Sequence, residues 1–301
     1  MIKIGSSLFS LMNPLHLYSY IEHMNKPKRA LTIAGAASGG SAGIQADIKT
    51  LQELNVYSWS VITAIVGKHP ETEKNIHLID LEAIQAQFST GLKQIGFDAI
   101  KTGMLFSKEI IDYVSKTLKT YANIPLVVDP VMIGKLDSVL LAEDAIQSLI
   151  ENLIPLATII TPNMPEASYL LNKRPLESVD DLINAAIDLH SLGAKYVLVK
   201  GGRLNGPAVD VLYNGQEVTL FEAPRIDTIN TNGAGCSYAA AITGHLAKGL
   251  SVEESVLRAK EWITTAIHYS FSYSDIIGPT NHGAFNEKGA IYKIKTEKIK
   301  P

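Results

Sequence analysis

The stretch RALTIAGAASGGSAGIQADIKTLQEL, residues 29–54, decides the fold class. Leu31, Ile33 and Ala34 form a short apolar strand. It runs into a Gly-rich loop, Gly35 to Gly43. Ile44, Ile48, Leu51 and Leu54 then recur at helical spacing, so residues 44–54 read as a helix. Strand, loop and helix repeat along the chain. Strands are expected at Ser60 to Val66, Asp98 to Met104, Pro125 to Val128, Thr158 to Thr161 and Tyr196 to Lys200. Helices are expected at Leu81 to Ile95, after a Ser107 cap, at Ala142 to Asn152 and at Val179 to Leu192, the last closed by Gly193. Strands Val209 to Tyr213 and Glu217 to Phe221 flank Asn214-Gly215, a hairpin turn. Helices Gly235 to Lys248 and Val252 to Tyr269 meet at Gly249.

This alternation predicts an α/β fold, a three-layer sandwich with a mainly parallel sheet and helices on both faces. The hairpin predicts an antiparallel edge. No linker-like run interrupts the chain after Arg29, so residues 29–301 read as a single domain. Residues 1–28 read as an N-terminal extension. Their apolar part is broken by Asn13, Pro14 and His16, too short for a membrane span and without a clean cleavage site. Met24, just before the first strand, makes a misassigned start the preferred reading.

The chain has 301 residues, a net charge of −3 and one cysteine, Cys236. The charge provides no basic field for nucleic acid. A single cysteine forms no internal disulfide, which fits the cytoplasm. The histidines show no metal-ligand spacing.

In open α/β sheets ligands sit beyond the carboxyl ends of the strands. That rule selects the loops at Gly35, Gly103, Asp129, Asn163, Gly201 and Thr231. Thr231-Asn232-Gly233-Ala234-Gly235-Cys236 leads straight into a helix, whose first N–H groups suit a phosphate. A thiol there gains from the helix dipole and is expected as thiolate. Close helix packing explains a small residue at 236 equally well. The Gly35 to Gly43 loop lacks Gly-Lys-Ser/Thr and the dinucleotide fingerprint. Asp47, one turn later, reads as a ligand or as a solvated carboxylate. Asp129, Asn163 and Glu166 are oxygen donors that suit magnesium; Asn163 and Glu166 also read as a helix cap with its first-turn acid. Lys200 before Gly201-Gly202 suits a nucleotide phosphate or simply solvent.

In order along the chain stand Ala42-Gly43-Ile44-Gln45-Ala46-Asp47, Lys101-Thr102-Gly103-Met104-Leu105, Val128-Asp129-Pro130-Val131-Met132, Thr161-Pro162-Asn163 with Glu166-Ala167, Lys200-Gly201-Gly202 and Gly233-Ala234-Gly235-Cys236. This set resembles the hydroxymethylpyrimidine/phosphomethylpyrimidine kinases and the pyridoxal kinases of the same subgroup, within the ribokinase-like superfamily. The resemblance covers Arg29 to Phe285. It implies an ATP- and Mg2+-dependent kinase acting on a ring hydroxymethyl group, with a small-molecule substrate, no nucleic-acid or membrane partner, and a homodimeric state.

By the same resemblance Cys236 stands where most of the superfamily has an Asp base, and the amides of Gly233 to Gly235 form an anion hole. Asn163, Lys200, Gly201, Gly202, Asp210 and Gly235 face ATP. Gly35, Ala42, Asp47, Lys68 and Met104 face the ring. Asn163, Glu166 and Asp129 support the metal. Several positions depart from the pattern. Ala37 replaces an Asp, Asn232 replaces a His, and Gly134 stands where some pyridoxal kinases have a second Cys. Lys68 stands where pyrimidine kinases carry Gln or Glu. Lysine accepts no hydrogen bond, so an aminopyrimidine loses its partner. With the stretches Ala208 to Tyr213 and Gly278 to Phe285, this favours the pyridoxal kinases over the pyrimidine kinases. A non-catalytic binding protein on the same fold is the alternative from another class, and ATP consumption separates the two.

Overall fold

The computed structural model describes residues 26–69, 72–133, 140–172, 174–275 and 277–300. The expected extension up to residue 25, Gly134 and the side chain of Lys68 lie outside the described residues. One ten-stranded sheet has the order β10-β9-β8-β7-β6-β5-β4-β1-β2-β3. The strands are β1 (Lys28–Ala37), β2 (Val56–His69), β3 (Thr72–Leu78), β4 (Ala99–Thr102), β5 (Leu126–Val128), β6 (Ile159–Ile160), β7 (Tyr196–Lys200), β8 (Ala208–Tyr213), β9 (Val218–Ala223) and β10 (Lys295–Ile299). From β2 through β1, β4, β5 and β6 to β7 every neighbour is parallel. Both margins are antiparallel, through β3 on one side and β8, β9 and β10 on the other.

The expected antiparallel edge is therefore found at β8–β9, and a second one at β2–β3. That second edge leaves little trace in sequence. Thr72–Leu78 is largely polar, and its pairing with β2 is a tertiary fact. β10 is nearly all exposed, so no apolar alternation marks it.

The α-helices are α1 (Gly43–Glu53), α2 (Leu81–Gln94), α3 (Lys108–Leu118), α4 (Glu143–Ser148), α5 (Met164–Leu170), α6 (Val179–His190), α7 (Ala234–Ala247), α8 (Val252–His268) and α9 (Ala284–Lys288). Ser107 caps α3, its Oγ accepting from the Ile110 amide at 3.3 Å. The helix expected over 142–152 is α4 followed by a π turn, Leu149–Leu153. Gly193 has φ +102°, as a helix-closing glycine requires.

Alternation along the strands divides the core. Leu31, Ile33, Val128, Ile160, Val197 and Val199 pack under α2 to α6. Ala30, Ala99, Val127, Ile159, Leu198 and Leu212 pack under α1, α7 and α8. Successive residues of a strand face opposite layers, so both faces are covered, as the apolar runs predicted. In α7, residues 237–244 are all buried, and Ala239, Ala240 and Ala241 let the helix sit close to the sheet.

Gly91 shows how tightly the other layer is packed. A Cβ there would lie 2.1 Å from Trp59 Cζ3. Trp59 cannot swing away freely, because its Nε1 donates to Gly96 O at 2.7 Å. An exposed helical Gly→Ala change stabilises by about 1 kcal/mol. Overpacking costs roughly 1–3 kcal/mol. We expect Gly91→Ala to lower stability in urea unfolding; a gain would show that the α2–β2 contact relaxes without cost.

Candidate active site

Strand alternation also puts the polar residues of the site in one layer. Thr32, Lys101, Asp129, Thr161, Lys200 and Asp210 have the same parity as Ala30, Ala99, Val127, Ile159, Leu198 and Leu212. They come from β1, β4, β5, β6, β7 and β8 or from the residues just after them. They line the carboxyl end of the parallel strands, on the face covered by α1, α7 and α8.

These groups form a row of alternating charge. Lys101 has no solvent exposure, and its Nζ lies 2.9 Å from Asp47 Oδ2. The same oxygen accepts from Thr32 Oγ1 at 2.6 Å. Asp129 Oδ1 accepts from Lys200 Nζ at 2.9 Å and from Thr161 Oγ1 at 3.0 Å. Asp210 accepts from the Gly201 amide at 3.0 Å and from Lys260 Nζ of α8 at 2.5 Å. Burial works against the Lys101 ammonium, but Asp47 and Asp129 hold its pKa above the ordinary value. Burial pushes the Asp129 carboxyl up, and Lys200 and Lys101 more than reverse it. Burial raises Glu166 to about 8, with Lys200 opposing. Asp47, Asp129 and Asp210 balance Lys101, Lys200 and Lys260.

Three glycines bring the loops together above this row. Gly43 has φ +60°, and a Cβ on it would lie 2.1 Å from Gly35 O. Gly233 has φ +78°, and its Cβ would lie 1.6 Å from Ser41 O. No other residue fits at either place. Asn232 Nδ2 donates to Ser41 Oγ at 2.7 Å, tying the Gly-rich loop to the loop before α7.

Gly233 caps α7. The Ala234 amide donates to Thr231 O at 3.2 Å. Among the described residues the Gly235 and Cys236 amides have no acceptor, as first-turn donors do not. Of the amides from Gly233 to Gly235 expected to meet an anion, that of Ala234 is engaged and that of Gly235 is without an acceptor among the described residues; the Cys236 amide, which was not expected, is likewise without one. Lys200 Nζ lies 3.3 Å from where a Gly235 Cβ would stand, which places the ammonium beneath this turn.

The thiol of Cys236 opens on the site and faces the Gly43 amide. Its surface is partly accessible, but the walls of the cleft desolvate it. Burial pushes it up to about 11, with Lys101 pulling it down. The thiolate expected at a helix N-terminus is therefore not the resting form. A dipole effect of about 0.3–2 kcal/mol is outweighed by desolvation.

A cleft of 630 Å³ lies beside Lys200. It gathers the predicted residues Asn163, Lys200, Gly202, Asp210 and Gly235. Gly201 is buried next to it, with its amide on Asp210. A smaller cavity of 350 Å³ at Arg174 and α6 has none of these groups. Of the residues expected to face a ring, Gly35 is buried, whereas Ala42 and Met104 are partly accessible. Asp47 is fully buried beneath the loop and paired with Lys101, so it holds the site from below.

Asn163 and Glu166 form a reciprocal cap on α5. Asn163 Oδ1 accepts from the Glu166 amide at 3.0 Å, and Glu166 Oε2 from the Asn163 amide at 2.9 Å. Among the described residues no three His, Cys, Asp or Glu side chains assemble around a point that would hold a metal. Asp129 pairs with Lys200 at 2.9 Å, and Glu166 interacts electrostatically with both.

Sequence reasoning missed Thr32, Lys101 as an ion-pair partner, Tyr238, Arg225 and Lys260. Lys260 had a signal: it stands among Val256, Ala259, Trp262 and Ile263, a cation on the apolar face of a helix.

The sequence profile of the phosphomethylpyrimidine kinase family matches residues 37–281. The pyridoxine kinase of Bacillus subtilis (strain 168) is 47% identical over 260 residues, 85% of this chain and 96% of that protein. The hydroxymethylpyrimidine/phosphomethylpyrimidine kinase of Streptomyces coelicolor is 41% identical over 257 residues, 85% of this chain and 95% of that protein. The structure of the Staphylococcus aureus pyridoxal kinase in complex with AMP-PCP and pyridoxal superposes with a TM-score of 0.83 at 35% identity, covering 91% of this chain and 100% of that one.

The raised thiol gives a direct prediction. From the ordinary 9.0 to about 11 is about two pH units, so near pH 8 the thiolate is about a hundredfold scarcer than in a free cysteine. With one cysteine in the chain, iodoacetamide labelling followed by mass reads Cys236 alone. We expect labelling at least about tenfold slower than free cysteine at pH 8, climbing beyond pH 9. Fast labelling that levels off below pH 8 would restore the resting thiolate.

Proposed function

Because the chain belongs to the phosphomethylpyrimidine kinase family, we propose that it transfers the γ-phosphoryl group of ATP to the hydroxymethyl group of pyridoxal, pyridoxine or pyridoxamine. The observation that carries the reading is the first turn of α7. Its unpaired Gly235 and Cys236 amides stand between Lys200 on the cleft side and the thiol on the loop side.

Phosphoryl transfer relies mostly on positioning and charge stabilisation. The nucleotide lies in the 630 Å³ cleft with its phosphates toward Lys200 and the α7 amides. The ring lies between Gly35, Ala42 and Met104, with its hydroxymethyl group toward Cys236. The hydroxyl oxygen bonds to the γ-phosphorus as the bond to ADP breaks, and the hydroxyl proton passes to Cys236 in its thiolate form. Lys101 and the α7 amides favour that form; burial opposes it. Asn163, Asp129 and Glu166 are the oxygen donors that would support a magnesium ion. The ion would neutralise charge on the transferring phosphate group.

Lys68 lacks an acceptor for an aminopyrimidine, which sets the preference for pyridoxal-type rings. Hydroxymethylpyrimidine is the second reading, favoured by the family profile and the Streptomyces relative. Action in the cytoplasm as a pair of copies belongs to the same proposal.

The test is ATP consumption with pyridoxal, pyridoxine, pyridoxamine and hydroxymethylpyrimidine, on the wild type and on Cys236→Ala and Cys236→Asp. We expect the pyridoxal group to lead. Cys236→Ala should lose about two orders of magnitude in kcat, the lower range of general-base assistance, and Cys236→Asp should keep more. A preference for hydroxymethylpyrimidine would move the assignment to the second reading. Background rates with all four would favour a binding protein. Cys236→Ala within about threefold of wild type would make the thiol a packing residue.

A further inference from the structure

Arg225 follows β9 at the rim of the 630 Å³ cleft. Its guanidinium is committed to one loop. Nη1 donates to Gly202 O at 2.6 Å, Nη2 to Leu204 O at 2.6 Å and Nε to Gly206 O at 3.0 Å. Those carbonyls belong to the connection between β7 and β8, which carries Lys200 at its root. Gly202 and Arg203 of that connection line the same cleft.

The loop is also held from within. Leu204 is buried, and its amide donates to Gly201 O at 3.0 Å. The Gly201 amide donates to Asp210, which Lys260 secures. Gly206, at φ +81°, takes the left-handed turn that sends the chain back into β8. The inner side is fixed by core and ion pair, and the outer side by Arg225.

Carbonyl oxygens at the rim of a cleft would repel a triphosphate. A guanidinium bonded to three of them offsets their dipoles and leaves a positive charge in place, because arginine stays protonated. We propose that Arg225 is a positioning residue for the nucleotide: it fixes the Gly202–Gly206 loop and supplies positive charge at the rim of the cleft. This rests on the kinase reading above. The chemistry also demands arginine. A planar fork meets three carbonyls along its edge, and an ammonium is a single point charge.

The test measures two affinities separately by titration calorimetry on the full chain with magnesium, for β,γ-methylene-ATP and for pyridoxal. Wild type, Arg225→Ala and Arg225→Lys are compared, with circular dichroism as the folding control. We expect Arg225→Ala to weaken the nucleotide about tenfold, the loss of hydrogen bonds to a charged group, and to leave pyridoxal within about twofold. Arg225→Lys should resemble the Ala variant. Equal weakening of both ligands would mean a general structural role and overturn the proposal. So would an unchanged nucleotide affinity, or full rescue by Lys. A wild type that binds pyridoxal but no nucleotide would overturn the kinase reading and this proposal with it.

Discussion

A lysine with no solvent exposure stays charged only if something replaces its water. Asp47 does this for Lys101 at 2.9 Å, and Asp129 adds to it from the next strand. Desolvation costs several kcal/mol per ion, so neither partner is tolerable alone. The pair also spans elements far apart in sequence, since Lys101 lies near the end of β4 and Asp47 on α1 behind the Gly-rich loop. Lys200 with Asp129 and Lys260 with Asp210 repeat the device along the sheet. Each pair ties a strand end to a neighbour or to a covering helix. The row thus fixes where the α7 amides, the thiol and the cleft stand relative to one another.

The same row sets the electrostatic character of the site. It is close to neutral when Glu166 is protonated, but its charges are separated in space. The Lys200 ammonium lies under the α7 turn, where phosphate is expected, and Lys101 lies toward the thiol. Fixed charges of this kind need no reorganisation when a charged ligand arrives. Burial carries an opposite consequence for Cys236, whose proton is held more firmly than a helix N-terminus alone implies.

Much of the fold was legible because strand alternation and helical spacing are local. β7 was read to the residue, and β5, α1, α2, α7 and α8 within one or two. β3 and β10 were not, since a polar strand takes its identity from its neighbour. In the site, the glycines at 35, 43 and 233 and the cap at Asn163 carried readable signals. The magnesium reading and the cap reading of Asn163 and Glu166 used the same residues; the structure contains the cap. The pairing of Lys101 with Asp47 could not be read, because sequence gives each residue type but not the 2.9 Å between them. Asn232, a departure from the usual motif, turns out to have a partner in Ser41 of the Gly-rich loop.

We take the buried row to be a functional device as well as a structural one, and one pair of variants separates these roles. Lys101→Met leaves Asp47 buried and unpaired; breaking such a pair costs about 3–5 kcal/mol. Lys101→Met combined with Asp47→Leu removes both charges and fills similar volume, so urea unfolding should recover most of that loss. Turnover of the double variant is the decisive measurement. We predict that it remains at least about a hundredfold below wild type despite restored stability, the scale of a lost fixed electrostatic contact. Turnover close to wild type in a stable double variant would contradict the claim and reduce the row to a packing device.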